Sequence, residues 1–439
     1  MYQLEQFGQV SLLGKFGLKL RKVMKINCAV TIVSGNYLAY ARVLGESLQV
    51  TNPGMDFRVL IVDRKTSLLE QSAQESGLDV TFVEDLPLPD LERIFYKYDI
   101  VELNTALKPT FLKQTFERGY KHVLYLDPDI RVFAPLAPVL DALNNADIVL
   151  TPHALGPVMD AMRPSDVDFL RTGAYNLGFI GLKASEQTKA MLEWWESRCL
   201  GMGFNDPAFG IFVDQKWIDL VPCYFSSVHI LRHPGCNVAY WNLHEREVSR
   251  NPNGFSVNSH PLIYFHFSGV VPSNEKILSR HQTRHIIEIG SALSELVQDY
   301  CAALMRLEHK KFAQMPYSFA FLDDGSAITP TMRRALLVVS YEEHQPFKPS
   351  SRLQRELRAA GISVRGRSQS STKALNTMTF DQTDSKVLLV NLMLRFAMRI
   401  IGLPRLLSLL RYAALLVREA HLPAVLLNKP LDLDHKMRR

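Results

Sequence analysis

The segment Lys121 to Phe133, KHVLYLDPDIRVF, constrains this chain more than any other stretch of it. Val123, Leu124, Tyr125 and Leu126 form an uninterrupted β-favouring run of the kind found in a buried strand. Asp127 then falls at the carboxyl end of that strand, the edge where ligands gather in open α/β sheets. Pro128 disfavours the helical conformation for Asp127 and cannot continue a ladder, so Asp127 and Asp129 are expected in an extended turn. There the two carboxylates can converge on one hard divalent cation, Mn2+ or Mg2+, with a substrate's phosphates completing its shell. Asp-Pro-Asp is also good turn chemistry in its own right, so the rest of the chain has to decide between the two readings.

From Asn27 onward, strand and helix signals alternate, the pattern of βαβ units and a mostly parallel sheet flanked by helices. Strands are predicted over Cys28–Val33, Phe57–Val62, Val80–Val83, Ile148–Thr151 and Gly178–Leu182, besides the aspartate strand. Helices are predicted over Tyr37–Gln49, Leu103–Arg118 and Glu186–Leu200, the last carrying Trp194 and Trp195. No internal repeat is visible. Beyond about Ser340 the character changes, and residues 361–385, rich in Ser, Thr, Gly and Arg, read as a linker.

The chain has 439 residues, 47% of them hydrophobic and 21% charged, which suits one large folded domain with appendages and excludes disorder for the bulk. A formal net charge of +6 suits a phosphorylated substrate or an anionic surface as well as a polynucleotide, and no nucleic-acid partner is expected. Five scattered cysteines without a Cys-x-x-Cys pair point to a reducing compartment and no structural zinc. Near the start, Lys15, Lys19, Arg21, Lys22 and Lys25 alternate with leucines. That is too charged for a secretory core, so a cytoplasmic protein is expected, with this stretch either a simple leader or a short amphipathic surface helix.

The far end is apolar and basic. From Lys386 onward there are ten Lys and Arg against three Asp and Glu. Arg395, Arg399, Arg405, Arg411 and Arg418 interrupt the hydrophobic run from Val387 to Val417, so no window of eighteen apolar residues survives to span a membrane. Pro404 is expected to break the run into two helices. Such a pair suits either the headgroup region at the inner face of an anionic plasma membrane or a helical cap on the main domain.

Several further segments resemble the retaining family 8 glycosyltransferases, whose catalytic domain has the GT-A fold, and the resemblance covers about Lys25 to Lys276. VTIVSGNYLAYARVLGESL at Val30 to Leu48 is similar to that family's opening strand, turn and helix, which implies that Ile32, Ser34, Asn36 and Tyr37 contact the nucleotide. Ser34 and Gly35 stand where the family often carries acids. LNTALKPTFLKQTF at Leu103 to Phe116 resembles the helix before the metal strand, which implies Lys108 near the sugar and diphosphate. YLDPDIRVFAPL matches the family's Asp-x-Asp segment, and AYNLGFIGL its Asn-x-Gly strand, where Asn176 would reach donor or acceptor hydroxyls.

FVDQKWIDLVP at Phe212 to Pro222 is similar to the Asp-Gln helix start beside the reacting carbon, making Asp214 and Gln215 candidates for sugar contact. YFHFSG at Tyr264 to Gly269 resembles the terminal His-x-x-Gly, so His266 is implied as the third protein ligand of the metal beside Asp127 and Asp129. The lysine that closely follows that glycine in the family is missing. Val270, Val271 and Pro272 occupy its place, with Lys276 the nearest substitute. HPGCNVAYWNLHER at His233 to Arg246 resembles a pocket wall, with Asn237, Trp241 and Asn242 available to the substrate.

The resemblance implies a GT-A-like catalytic domain at 25–285; composition and charge patterning set beside it a leader at 1–24, a helical extension at 286–360, the linker at 361–385 and a basic amphipathic helical tail at 386–439. The resemblance further implies transfer of a hexose from a nucleotide sugar, UDP-linked, to a saccharide or lipid-linked acceptor of bacterial surface glycan or lipopolysaccharide synthesis, with retention. Asp127, Asp129, Asp214 and Gln215 would carry it. Two other classes remain open. Haloacid-dehalogenase-type phosphatases also carry Asp-x-Asp after a strand, but with Thr or Val where this chain has Arg131. A non-catalytic glycan-binding or scaffold protein of the same fold would fit the missing lysine.

Overall fold

The computed structural model describes residues 25–362, 385–416 and 421–429. The predicted leader, nearly all of the linker and the last ten residues of the tail lie outside them. A seven-stranded sheet forms the centre. Its strands are β1 (Lys25–Val33), β2 (Asp56–Ile61), β3 (Asp79–Phe82), β4 (Tyr120–Leu126), β6 (Ile148–Pro152), β7 (Tyr175–Lys183) and a short edge strand, Val228–Ile230. A further short strand, β5 (Ile130–Val132), lies outside this sheet. In space the order runs Val228–Ile230, β6, β7, β4, β1, β2, β3. β1 pairs in parallel with both β2 and β4, and β7 alone runs antiparallel to its two neighbours. This is the mostly parallel, helix-flanked sheet that the sequence predicts.

Both faces of the sheet are covered, so the central strands are buried on both sides. From Cys28 to Ser34, no residue of β1 or the turn after it exceeds 4% exposure. Cys28, Val30 and Ile32 face one core with Tyr96, Tyr98, Phe111 and Trp195, while Ala29 and Val33 face the other side. The first side is built by α3 (Leu91–Lys97), α4 (Ile100–Ala106), α5 (Lys108–Glu117) and α8 (Glu186–Met202). The second carries α1 (Leu38–Thr51), α6 (Ala137–Asn145) and the helix Ala292–Arg306. The remaining labelled helices are α2 (Ser67–Ser76) and α7 (Asp166–Thr172).

One predicted helix is two. The stretch Leu103–Arg118 divides at Leu107, after which Lys108 and Pro109 open α5. Proline lacks the N–H that an interior helical position needs but is suited to a first turn, so the chain restarts there.

Residues 286–362 pack onto the same cores rather than forming one of their own. Arg333 donates to the carbonyls of Phe95, Tyr96, Tyr98 and Phe319, and Gln354 Nε2 donates to Tyr96 Oη at 2.9 Å. Arg334 meets the buried Glu102 carboxylate. Asp63, just past β2, accepts from Gly35 N at 2.8 Å and Ser318 N at 2.7 Å. That side chain therefore ties the turn after β1 to the extension.

The tail forms helices Ser385–Ile401 and Leu403–Leu416, in contact with each other. The break falls at Gly402, with φ of +79°, two residues before Pro404. Glycine takes that left-handed conformation without steric cost, and the proline then sits in the first turn of the second helix.

Candidate active site

Three chain segments meet at the carboxyl end of β4. The turn after it closes with Ile130 N donating to Asp127 O at 3.0 Å, so Asp127 and Asp129 project from the same tight turn. β5 then pairs antiparallel with the strand Tyr264–His266, which sets His266 opposite Ile130. Phe267 N donates to Asp129 O at 2.8 Å and locks the register. On the other side, Asp127 N donates to Gly178 O of β7 at 2.7 Å.

The result is a cluster in which ligand atoms of Asp127, Asp129 and His266 all lie within 4.8 Å of one another. His266 Nε2 is 2.9 Å from Asp129 Oδ1 and 3.7 Å from Asp127 Oδ2. His266 Nδ1 faces Asn176 Oδ1 at 3.2 Å. A proton on Nδ1 satisfies that oxygen and leaves the Nε2 lone pair directed at the carboxylates, the tautomer a metal ligand needs. Trp241 packs perpendicular to the imidazole, with ring centres 5.0 Å apart. Burial pulls the His266 pKa down, but Asp129 and then Asp127 outweigh it and hold it above its ordinary value. Two carboxylates and one imidazole suit Mn2+ better than an all-oxygen site would, and the donor set fits a divalent ion.

Gly178 is required here. A Cβ at that position would lie 2.4 Å from His266 Cε1 and 2.9 Å from Asn176 Oδ1. Only glycine lets β7 pass this close to the imidazole.

Beneath the aspartates lies a buried charge pair. Lys108 Nζ is 2.6 Å from Asp214 Oδ2 and donates to Leu177 O at 2.7 Å, with both side chains 2% exposed. The ammonium also sits 4.1 Å from the centre of the Tyr125 ring, whose hydroxyl donates to Asp127 Oδ1 at 2.7 Å. Burial raises the Asp214 carboxyl and Lys108 opposes that shift. Lys108, expected beside the diphosphate, is thus engaged in the floor of the site. Gln215 is engaged as well, accepting from Leu177 N at 2.9 Å and donating to Thr172 O at 3.0 Å.

Above this floor opens a cleft of about 380 Å3, lined among others by His153, Phe169, Asn176, Gln215, Trp241 and His281. His153 stacks on Phe169 with ring centres 5.4 Å apart, and burial drives its pKa down to about 4. Asn242 is fully buried, donating to His153 O and Asn237 O and accepting from Ala239 N. Asn237 is also fully buried and donates to Pro152 O at 3.1 Å. These two asparagines hold the wall from behind, while Trp241 and Asn176 line the cleft.

On the far side of the aspartates, Ile32 is buried in β1, Ser34 Oγ donates to Asn36 Oδ1 at 2.7 Å, and the exposed Tyr37 ring stacks on Tyr40 at 4.4 Å. The Tyr37 phenol is pushed up by burial and then by Asp129, with Arg280 opposing.

Arg280 lies in a segment without a sequence motif. Its backbone N donates to Gly269 O at 3.0 Å, and a Cβ on Gly269 would meet Ser279 Oγ and His281 Cδ2 at 2.5 and 2.6 Å. The chain thus folds back and sets an exposed guanidinium beside the His-x-x-Gly turn, while Lys276 is exposed on the loop between.

No family model matches this chain. It is 28% identical over 260 residues to the uncharacterized protein YfnF of Bacillus subtilis (strain 168), covering 58% of this chain and 85% of that one. It is 26% identical over 253 residues to YfnD of the same organism, covering 56% and 78%. Among solved structures it is similar to the galactosyltransferase LgtC in complex with donor and acceptor sugar analogs, at 15% identity and a TM-score of 0.40, covering 63% of this chain and 95% of that one. It is also similar to the glycosyltransferase GlyE of Streptococcus pneumoniae TIGR4, at 13% identity and a TM-score of 0.38, covering 66% of each.

Proposed function

We propose that this chain is a metal-dependent retaining glycosyltransferase that moves a hexose from a nucleotide-sugar donor, UDP-linked, to a saccharide or lipid-linked acceptor of a bacterial surface glycan, acting in the cytoplasm. The observation that carries the reading is the meeting of Asp127, Asp129 and His266, from chain regions 137 residues apart, at one sheet edge. A divalent ion held by these three residues would supply positive charge to the leaving nucleoside diphosphate.

The chain's own residues do the rest. Tyr37 offers an exposed ring face to the base, with Ser34 and Asn36 beside it for the ribose. Arg280 offers a planar, permanently charged donor set to the diphosphate, the role left open by the missing lysine. Asn176 reaches the sugar from β7. Asp214 and Gln215 position the reacting carbon through the floor they build with Lys108, and neither is a covalent nucleophile. Asp214 is buried and already paired with Lys108. The acceptor hydroxyl approaches on the face the diphosphate leaves, which gives retention. The aromatic wall of His153, Phe169 and Trp241 excludes water from that face.

The test is hydrolysis and transfer with a panel of nucleotide sugars, with and without Mn2+, alongside Mn2+ binding by titration calorimetry. Metal-dependent turnover of at least one donor is expected, with both binding and turnover lost in Asp129→Ala. Absence of turnover with every donor, together with unchanged metal affinity in Asp129→Ala, would dispose of the proposal.

A further inference from the structure

The tail carries an apolar surface that the rest of the described chain does not cover. In the helix Ser385–Ile401, Leu388, Leu392, Phe396 and Ile400 recur every four residues, with Leu389 and Met393 beside them. All six are exposed, Phe396 by 66% and Leu392 by 64%. Spacing of this kind puts them on one face of the helix. Asn391, Leu394 and Ala397, on the opposite side, are half-buried, while Val390 and Met398 there are 40% exposed. In the second helix, Leu403, Leu407 and Leu410 repeat the pattern and are exposed, as are Leu409 and Tyr412 away from that stripe, while Leu406 is buried.

Charge decides what covers this surface. Residues 387–417 contain Arg395, Arg399, Arg405 and Arg411 and no Asp or Glu. Among the described residues no acid pairs with these arginines. At 100° per residue, Arg395 and Arg399 fall along the Leu388–Leu392 edge of the first stripe, and Arg411 falls beside the stripe of the second helix. An apolar face bordered by arginines is the arrangement of a helix lying in a headgroup region, its leucines among acyl chains and its guanidiniums on lipid phosphates. A protein partner would need a matching acidic rim, and a second copy of this chain would bring the same positive charge against itself. No helix of the described residues is long and apolar enough to cross a membrane.

The pair is also tethered. The helix Leu422–Leu426 follows it, Ala424 and Leu427 pack on the main core, and Lys429 Nζ meets Glu356 Oε2 at 2.6 Å. The tail is therefore fixed to the catalytic body at one end while its leucine faces stay open.

We infer that the helices Ser385–Ile401 and Leu403–Leu416 form a peripheral docking surface for an anionic lipid bilayer, with Leu388, Leu392, Phe396 and Ile400 inserted and Arg395, Arg399 and Arg411 at the headgroups. This does not depend on the catalytic reading. The test is co-sedimentation of the full chain with phosphatidylcholine vesicles, with and without phosphatidylglycerol, run beside sedimentation velocity of the protein alone.

Binding only to the anionic vesicles is expected. A fall of at least tenfold in partition is expected for Leu392→Ser/Phe396→Ser and for Arg395→Glu/Arg399→Glu. Both variants change exposed residues, and an unchanged melting temperature shows that they still fold. Equal binding to neutral vesicles, no binding to either kind, or self-association that Leu392→Ser/Phe396→Ser abolishes would each overturn the inference.

Discussion

The hydroxyl of Tyr125 donates to Asp127 Oδ1 at 2.7 Å, from a ring that is itself buried against the Lys108 ammonium. Residues i and i+2 of a strand point to the same side, so the last strand residues orient the first carboxylate after it. Burial and the Asp127 charge together hold the phenol well above its ordinary range, so it donates throughout the working pH range.

Tyr125→Phe keeps the ring and removes only this donor. Partners of this kind cost about 10- to 100-fold in metal affinity when removed. Calorimetry should show Mn2+ affinity lower by roughly tenfold, with thermal stability changed by no more than about 1.5 kcal/mol. Unchanged affinity would mean that the turn alone orients Asp127.

Gly178→Ala is expected to act on the same site through space rather than through a donor. The added methyl would fall against the His266 ring and Asn176 Oδ1. Either the imidazole or β7 must shift, and overpacking of this sort costs about 1–3 kcal/mol. Mn2+ binding should fall more than the melting temperature does, because the displaced group is the ligand. A variant that binds metal normally would mean that β7, and not the imidazole of His266, gives way.

Much of this site is legible in the sequence, for physical reasons that differ by residue. Asp127 and Asp129 follow a four-residue apolar strand, and a buried strand has few alternatives. The bond from Tyr125 to Asp127 is not read from the sequence, although the pleat puts residues i and i+2 on one side. Arg280 carries no signal at all, because its approach to Gly269 is a backbone contact across eleven residues of irregular chain with no periodicity to read. Lys108 reads from sequence as a surface cation. Its burial depends on Asp214, more than a hundred positions away. The sequence reads as one helix across Leu107, where Pro109, which fits a helix start better than an interior, instead opens a second.

Arg280→Ala should weaken donor binding with little effect on folding, since the side chain is exposed. An Arg–phosphate contact at such a site is worth about 1.5–3 kcal/mol, so KM for the donor and the Kd for the free nucleoside diphosphate should each rise roughly 10- to 100-fold. Arg280→Lys should recover part of this, because a point charge replaces the planar fork. Lys276→Ala should change neither constant. If Lys276→Ala has the larger effect, the loop lysine is the diphosphate's cation instead.

His153 gives the protein an acid-sensitive point outside the metal cluster. Its pKa falls from the ordinary 6.5 to about 4 because it is buried. Between those values the unfolded chain binds a proton that the folded one does not, so stability rises with pH across that window. The contribution is complete above pH 6.5 and is lost as pH falls toward 4, a difference on the order of 3 kcal/mol. Urea unfolding at stepped pH should show that slope in the native chain and a shallower one in His153→Gln. Equal slopes would assign the acid sensitivity to other groups.

The buried pair Lys108 and Asp214 separates structural from chemical importance. Removing one partner strands the other as an uncompensated charge in the floor of the site, which costs about 3–5 kcal/mol. Lys108→Met should therefore lower stability by that order, and Asp214→Leu similarly. The double variant Lys108→Met/Asp214→Leu removes both charges at once and should recover most of the loss, since an apolar pair of similar volume is tolerated where an ion pair was. If the pair also positions the reacting carbon through Gln215 and Leu177, the double variant will be stable, will still bind Mn2+ and will have lost turnover. Stability and turnover recovering together would make the pair a folding element only.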